Sequence, residues 1–296
     1  MTDKGVGMRT SRRTILAGLA AAAAVPGGAT ARSGPEPGPT SASTSGERPL
    51  TFVLVHGTWH GGWVWRDVRA LLRQRGHRVF TPTCTGCGER AHLMRPDTGL
   101  DTHIDDIAAV ITYEELDDVI LVGHSFSGIT ITGVADRLRD RIRRIVFFDA
   151  LVPRPGRMAG VMPDPDTGAY PDWWVKRTAN FVDGYQMDFW TEYPLEMLLP
   201  GTPAMQPHAD RLKRLITRHP ARQWTDVLHV ENGGWQGLSP AYIHCVGQTY
   251  RMSSDRMVGP ARGPGWTYIP LDAPRNAMMT HPGDVSDILV QLGETA

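Results

Sequence analysis

Ser125 is the residue around which chemistry can be assembled. It lies in Asp118-Val119-Ile120-Leu121-Val122-Gly123-His124-Ser125-Phe126-Ser127-Gly128, an apolar strand-like run that enters a tight turn, and helical spacing follows from Ile129 to Leu138. At such a strand-to-helix corner, a nucleophile elbow, the serine hydroxyl is pushed clear of the sheet, and small neighbours let the backbone pass through the strained bend. The usual pattern is G-x-S-x-G; here Ser127 holds the second glycine slot and Gly128 follows it. Ser125 is therefore the expected nucleophile. An attacked carbonyl also needs donors for the charge that builds on its oxygen. The glycine-rich run His56-Gly57-Thr58-Trp59-His60-Gly61-Gly62 has backbone N–H groups able to serve, and the N–H of Thr58 is expected to pair with that of Phe126 as an oxyanion hole.

These groups need a sheet to hold them. Leu50 to Val55 is a nearly continuous apolar run of the kind expected for a strand buried on both faces. Helical spacing over Val64–Arg75, a strand over Arg78–Phe80 and a helix over Asp101–Tyr113 come next. Arg144 to Phe148 reads as a further buried strand with Asp149 at its carboxyl end, where sites of open α/β sheets lie. Alternation of strand and helix predicts an α/β fold with a mostly parallel sheet and helices on both faces. From about residue 152 to 239 the alternation stops and proline and aromatics accumulate, including Trp173, Trp174, Phe189, Trp190, Tyr193 and Trp224. This stretch reads as an inserted cap, with Trp173 and Trp190 expected to bind the apolar part of a substrate and His60 to orient it. Strands are expected again over Tyr242–Val246 and Thr267–Leu271, before a closing helix over Val285–Leu292.

Composition narrows the partners. The chain of 296 residues carries 31 Lys+Arg and 31 Asp+Glu, a balance that argues against nucleic acid or an anionic membrane surface. No phosphate-binding glycine loop and no metal-spaced His/Cys cluster occurs, so neither cofactor nor metal is expected, and the partner is a small-molecule substrate. Cys84-Thr85-Gly86-Cys87 has CxxC spacing in a loop; two small apolar side chains or a short disulfide both fit it. Ser11-Arg12-Arg13-Thr14-Ile15-Leu16, an apolar run to Val25 and Ala29-Thr30-Ala31 together read as a twin-arginine export signal over residues 1–31. A flexible linker over 32–49 and an α/β domain over 50–296 would follow, secreted and without a stable membrane anchor.

From Leu50 onward the chain resembles the branch of α/β-hydrolases that holds small bacterial carboxylesterases, plant methylesterases and hydroxynitrile lyases. The resemblance rests on Phe52 to Trp63, on Gly86-Cys87-Gly88-Glu89-Arg90, on Gly123-His124-Ser125-Phe126 and on Ala277-Met278 to Pro282. It implies an α/β-hydrolase fold and a cofactor-free Ser-His-Asp site with Ser125 as nucleophile. In that branch the base is a histidine just after the last strand, and this chain has Arg275 there, in Pro274-Arg275-Asn276-Ala277-Met278. A guanidinium stays protonated at physiological pH and cannot take the serine proton. Gln248 falls where the plant enzymes have their aspartate, which leaves Asp149 or Asp255 as the acid. His281, or His208, His219 or His229 of the cap, remains open as a displaced base.

Three readings follow: an ester or lactone hydrolase of a small apolar compound with a displaced base, a non-hydrolytic lyase, cyclase or isomerase, and a pseudoenzyme that binds a small anion. The group within hydrogen-bond reach of Ser125 separates them. A histidine there favours hydrolysis, and the Arg275 head group favours the other two.

Overall fold

The computed structural model describes residues 48–154, 158–247, 258 and 261–295. The expected export signal, nearly all of the linker, Gln248 and Asp255 lie outside them. Six strands form one sheet: β1 (Thr51–Val55), β2 (Arg78–Phe80), β3 (Val119–His124), β4 (Ile142–Phe148), β7 (Ser239–Cys245) and β8 (Thr267–Leu271). Their order is β2-β1-β3-β4-β7-β8, and every pairing is parallel.

Both faces of the central strands are covered, which is why β1 and β3 are apolar without a polar side. Phe52 and Leu54 of β1, Ile120 and Val122 of β3, and Val146 and Phe148 of β4 enter one core cluster. There they meet Val68 and Leu72 of α1 (Arg66–Gln74), with Val285, Leu289 and Leu292 of the last helix. The alternate residues Val53, Val55, Leu121, Ile145 and Phe147 face the second cluster with Ile104 and Ile107 of α2 (Leu100–Tyr113) and Ile131 and Val134 of α3 (Ser127–Arg137). Period-two alternation along each strand thus feeds two separate cores. The helix expected from Val64 begins at Arg66, because Gly62–Trp65 forms a tighter 3-10 turn first.

Between β4 and β7 the chain makes short elements: α4 (Asp172–Thr178), β5 (Gln186–Met187), α5 (Phe189–Glu192), α6 (Gln206–Leu215), β6 (His219–Pro220) and α7 (Arg222–Thr225). β5 and β6 pair antiparallel. After β8 come α8 (Ala277–Thr280) and α9 (Pro282–Glu294), with Pro282 in the first turn of α9, where its missing N–H costs nothing. Cys84 and Cys87 are buried free thiols, and Cys245 is buried in β7.

Candidate functional site

The carboxyl ends of β1, β3 and β4 each turn into a non-glycine residue in the left-handed region: Trp59 at φ 65°, Ser125 at φ 60° and Asp149 at φ 45°. Such conformations persist only where surrounding structure holds them, and here it does. The Ser125 N–H donates to the carbonyl of Phe148 at 3.1 Å, and the N–H of Leu151 donates to that of Ser125 at 2.9 Å. Gly57 lies so close that a Cβ there would be 2.8 Å from Cβ of Ser125, and a Cβ at Gly128 would be 1.8 Å from the carbonyl oxygen of Leu151. Ser127, which departs from the glycine pattern, donates its hydroxyl to the carbonyl of His56. The departure ties the elbow to the loop after β1.

Arg275 stands between the two groups that a base would serve. Its Nη1 donates to Oδ2 of Asp149 at 2.5 Å, and its Nη2 donates to Oγ of Ser125 at 2.7 Å. The side chains of Arg275 and Asp149 are 11% and 0% exposed, so the pair is shielded from water. Ser125, Arg275 and Asp149, separated by up to 150 positions in the chain, are brought together. The consequence is chemical: Ser125 accepts from a fixed cation, its lone pair is engaged, and its own O–H is left to donate. Asp149 balances the guanidinium charge.

Nearby histidines are neutral. Burial pushes His60 down to about 4 and holds His56 and His124 below the ordinary value, with the Arg275 charge adding to the effect at His124. His60, expected to orient a substrate, has both ring nitrogens engaged: Nδ1–H donates to the carbonyl of Thr58 at 2.8 Å, and Nε2 accepts from the Asn276 amide at 3.1 Å. His124 is buried, with the backbone of Arg275 against its ring. None of the displaced-base candidates bonds to Ser125. His281 is hydrogen-bonded to the hydroxyl of Thr280, His208 is half-buried on α6, His229 is exposed, and His219 is taken up by Trp59 and Gln223.

Thr58 and Phe126 are 4% and 1% exposed. Among the described residues, no hydrogen bond uses either backbone N–H, and the buried hydroxyl of Thr58 has no partner. Trp173 and Trp190 are 48% and 44% exposed, packed edge-on against Trp174 and Phe189. The ring that reaches the elbow is Trp224, 5.0 Å from the ring of Phe126 and stacked on Trp174 at 6.2 Å. Nothing in the sequence singles out Trp224 from the other aromatics of its segment, because that contact depends on how the segment folds back. Asn276 was also missed; the signal was its place beside Arg275. Within the described residues no group of His, Cys, Asp or Glu is arranged to hold a metal ion.

A family model described as "Alpha/beta hydrolase family" matches residues 52–288. The chain is 61% identical over 105 residues to a carbendazim hydrolyzing esterase of Nocardioides sp. (strain SG-4G), covering 36% of this chain and 43% of that protein. It is 34% identical over 108 residues to an alpha-hydroxynitrile lyase of Arabidopsis thaliana, covering 36% and 42%. The matched stretches therefore span less than half the length of either relative. Among solved structures, an extracellular alpha/beta-hydrolase from a Paenibacillus species superposes with a TM-score of 0.64 at 22% identity, over 82% of this chain and 98% of that one.

Proposed function

The chain belongs to the alpha/beta hydrolase family, and on that footing we propose that it is an enzyme acting on a small, apolar, uncharged carbonyl compound by polarising the carbonyl oxygen, without forming an acyl-enzyme. The observation that carries this reading is the bridge from Asp149 through Arg275 to Ser125. A guanidinium cannot act as base, and one that donates to the serine oxygen lowers its nucleophilicity further. The same bridge frees the Ser125 O–H to point outward as a donor, beside the N–H groups of Thr58 and Phe126. Donors converge, and among the described residues the group bonded to Ser125 is a cation and not a base. That set suits reactions in which negative charge grows on a carbonyl oxygen while the proton the substrate gives up passes to water, as lyase or isomerase chemistry would require here. Because Asp149 neutralises Arg275 and the neighbouring histidines are uncharged, the site favours a neutral ligand over an anion. The aromatic stack of Trp224 and Trp174 on Phe126 supplies apolar surface for its remainder.

An ester or lactone hydrolase is the second reading, favoured by the likeness to the Nocardioides esterase. One experiment separates the two. Wild-type protein is expected to hydrolyse 4-nitrophenyl acetate barely, Arg275→His to raise that activity, and Ser125→Ala in the same background to abolish the gain. Strong wild-type turnover that vanishes on His281→Ala, with Arg275→Ala harmless, would establish a displaced base and overturn the proposal.

Export is part of the same reading, supported by the twin arginines Arg12-Arg13 ahead of an apolar run and Ala29-Thr30-Ala31. Mass spectrometry of the secreted protein is expected to find an N-terminus at or near Arg32. Protein found only in the cytoplasm, with Met1 retained, would sink the export assignment.

A further inference from the structure

The loop after β1 is held by histidines that take no part in the bridge at Arg275. Its first peptide, Gly57–Thr58, has its carbonyl turned to His56, whose Nδ1–H donates at 2.9 Å while Nε2 accepts from the N–H of Cys84 at 3.0 Å. In a trans peptide the C=O and N–H point opposite ways, so the Thr58 N–H is turned away from His56. The next peptide, Thr58–Trp59, is gripped at both ends. Its carbonyl accepts from Nδ1–H of His60 at 2.8 Å, and its N–H donates to Nδ1 of His219 at 3.3 Å.

Each of those two rings reaches a different part of the molecule with its other nitrogen. His60 Nε2 accepts from Nδ2 of Asn276, the neighbour of Arg275, at 3.1 Å. His219 Nε2–H donates to Oε1 of Gln223, whose amide donates to the hydroxyl of Thr130 on α3 at 3.4 Å. The Trp59 carbonyl is held as well, by the N–H of Thr217 at 3.1 Å, so the stretch from Thr217 to His219 binds Trp59 through both of its backbone groups. All this acts on a tryptophan at φ 65°, a conformation that a bulky side chain leaves readily unless restrained. The hydrogen bonds also set the tautomers: His60 carries its proton on Nδ1, while Nδ1 of His219 faces both the Trp59 N–H and the Cys87 thiol at 3.3 Å and accepts from them, which puts its proton on Nε2, and both rings are neutral. Burial disfavours the charged form of each.

We propose that His60 and His219 are positioning residues that clamp the Thr58–Trp59 peptide from its two ends, fixing Thr58 for its N–H and hydroxyl to face a ligand and coupling that loop to Arg275 on one side and to the inserted segment on the other. The ligand-facing part rests on the carbonyl-polarising reading above; the clamp itself does not. His60 links the oxyanion-type donor to the bridge residue through one amide. His219 makes the loop's geometry depend on how the segment between β4 and β7 is seated. Loosening either ring is expected to leave the fold in place and misdirect the donor.

The test uses the full chain labelled with 15N. Ring spectra at neutral pH are expected to show His60 protonated on Nδ1, the less common tautomer of free histidine, and His219 protonated on Nε2. Amide exchange of Trp59 is expected to be about tenfold faster in His219→Phe, which fills the space without accepting, and to be restored in His219→Asn, whose side-chain oxygen reaches the place of Nδ1. Exchange of Leu121 in β3 reports global stability and is expected not to change. With 2-heptanone labelled with 13C at its carbonyl as probe, the bound carbonyl signal is expected to move downfield in wild type. That displacement should shrink in His60→Phe and His219→Phe with little change in affinity. A His60 ring protonated on Nε2, or Trp59 exchange indifferent to His219→Phe, overturns the clamp. Should His219→Phe fail to fold, the wild-type tautomers and His219→Asn still decide. A ketone signal that stays put in wild type counts against the carbonyl reading alone, since the exchange and tautomer results stand without it.

Discussion

At Arg275 the outcome turns on the charge and length of one side chain. Its guanidinium spans from Asp149 to Ser125 with two nitrogens, which a monodentate ammonium could not do in one plane. An imidazole in its place is shorter, so Arg275→His must draw the loop between β8 and α8 inward to reach the serine. Ester turnover is therefore expected to recover only in part, with a gain of about tenfold or more against the roughly 10⁶ that separates an intact serine–base pair from a broken one. The recovered activity should rise with pH as the imidazole loses its proton, from an ordinary value of about 6.5. Wild-type residual activity should be flat through the same range, because a guanidinium does not titrate there. A pH–rate profile of the two proteins checks both statements.

At the scale of elements, the elbow depends on how closely α3 can approach the chain leaving β4. Gly128 opens α3 directly against the Leu151 carbonyl, and Leu151 in turn donates to Ser125. Gly128→Ala would force a methyl group into an oxygen 1.8 Å away and is expected to cost on the order of 3 kcal/mol, seen as a lower melting temperature. Gly283, in the first turn of α9, has nothing within 4 Å of an added Cβ and no positive φ. Gly283→Ala should raise stability by about 0.5 to 1 kcal/mol through the unfolded state. Equal effects at the two glycines would show that the elbow is not packed as tightly as these distances require.

For the whole molecule the same histidines set the response to acid. His56, His60, His103, His124 and His219 are buried, and desolvation lowers the pKa of each, to about 4 for His60 and His103. In the unfolded chain they take up protons near 6.5, so between 6.5 and 4 the unfolded state binds more protons than the folded one. Stability then falls as pH falls through that window and is fully present above it. His60 alone contributes on the order of 3 kcal/mol at neutral pH that is gone by pH 4. Glu192 works in the opposite direction: burial raises it to about 7 against the pull of Arg177, so losing its proton weakens the fold as pH rises. One carboxyl against several imidazoles leaves the acid side dominant. Melting temperatures from pH 7 to pH 4 are expected to drop steeply, and a flat profile would mean that these rings are charged or exposed.

Much of this is legible in the sequence. β1, β3 and the Ile145–Phe148 part of β4 announce themselves as apolar runs because they are buried on both faces, and the elbow shows because only small residues tolerate its turn. Arg275 in place of a histidine was visible from the family pattern, and so was the oddity of Ser127. What Ser127 does was not visible, since its partner is a carbonyl 71 positions away. Likewise the alternatives for a base stayed open until the sheet order placed β3 between β1 and β4 and brought Arg275 onto Ser125, 150 positions back. His219 and Trp224 looked like ordinary members of an irregular stretch, yet one grips a peptide 160 positions earlier and the other lies on Phe126. Local sterics and solvent exposure write period and turn into neighbouring residues, whereas a hydrogen-bond partner is chosen by which strands the fold lays side by side, and no neighbouring residue encodes that.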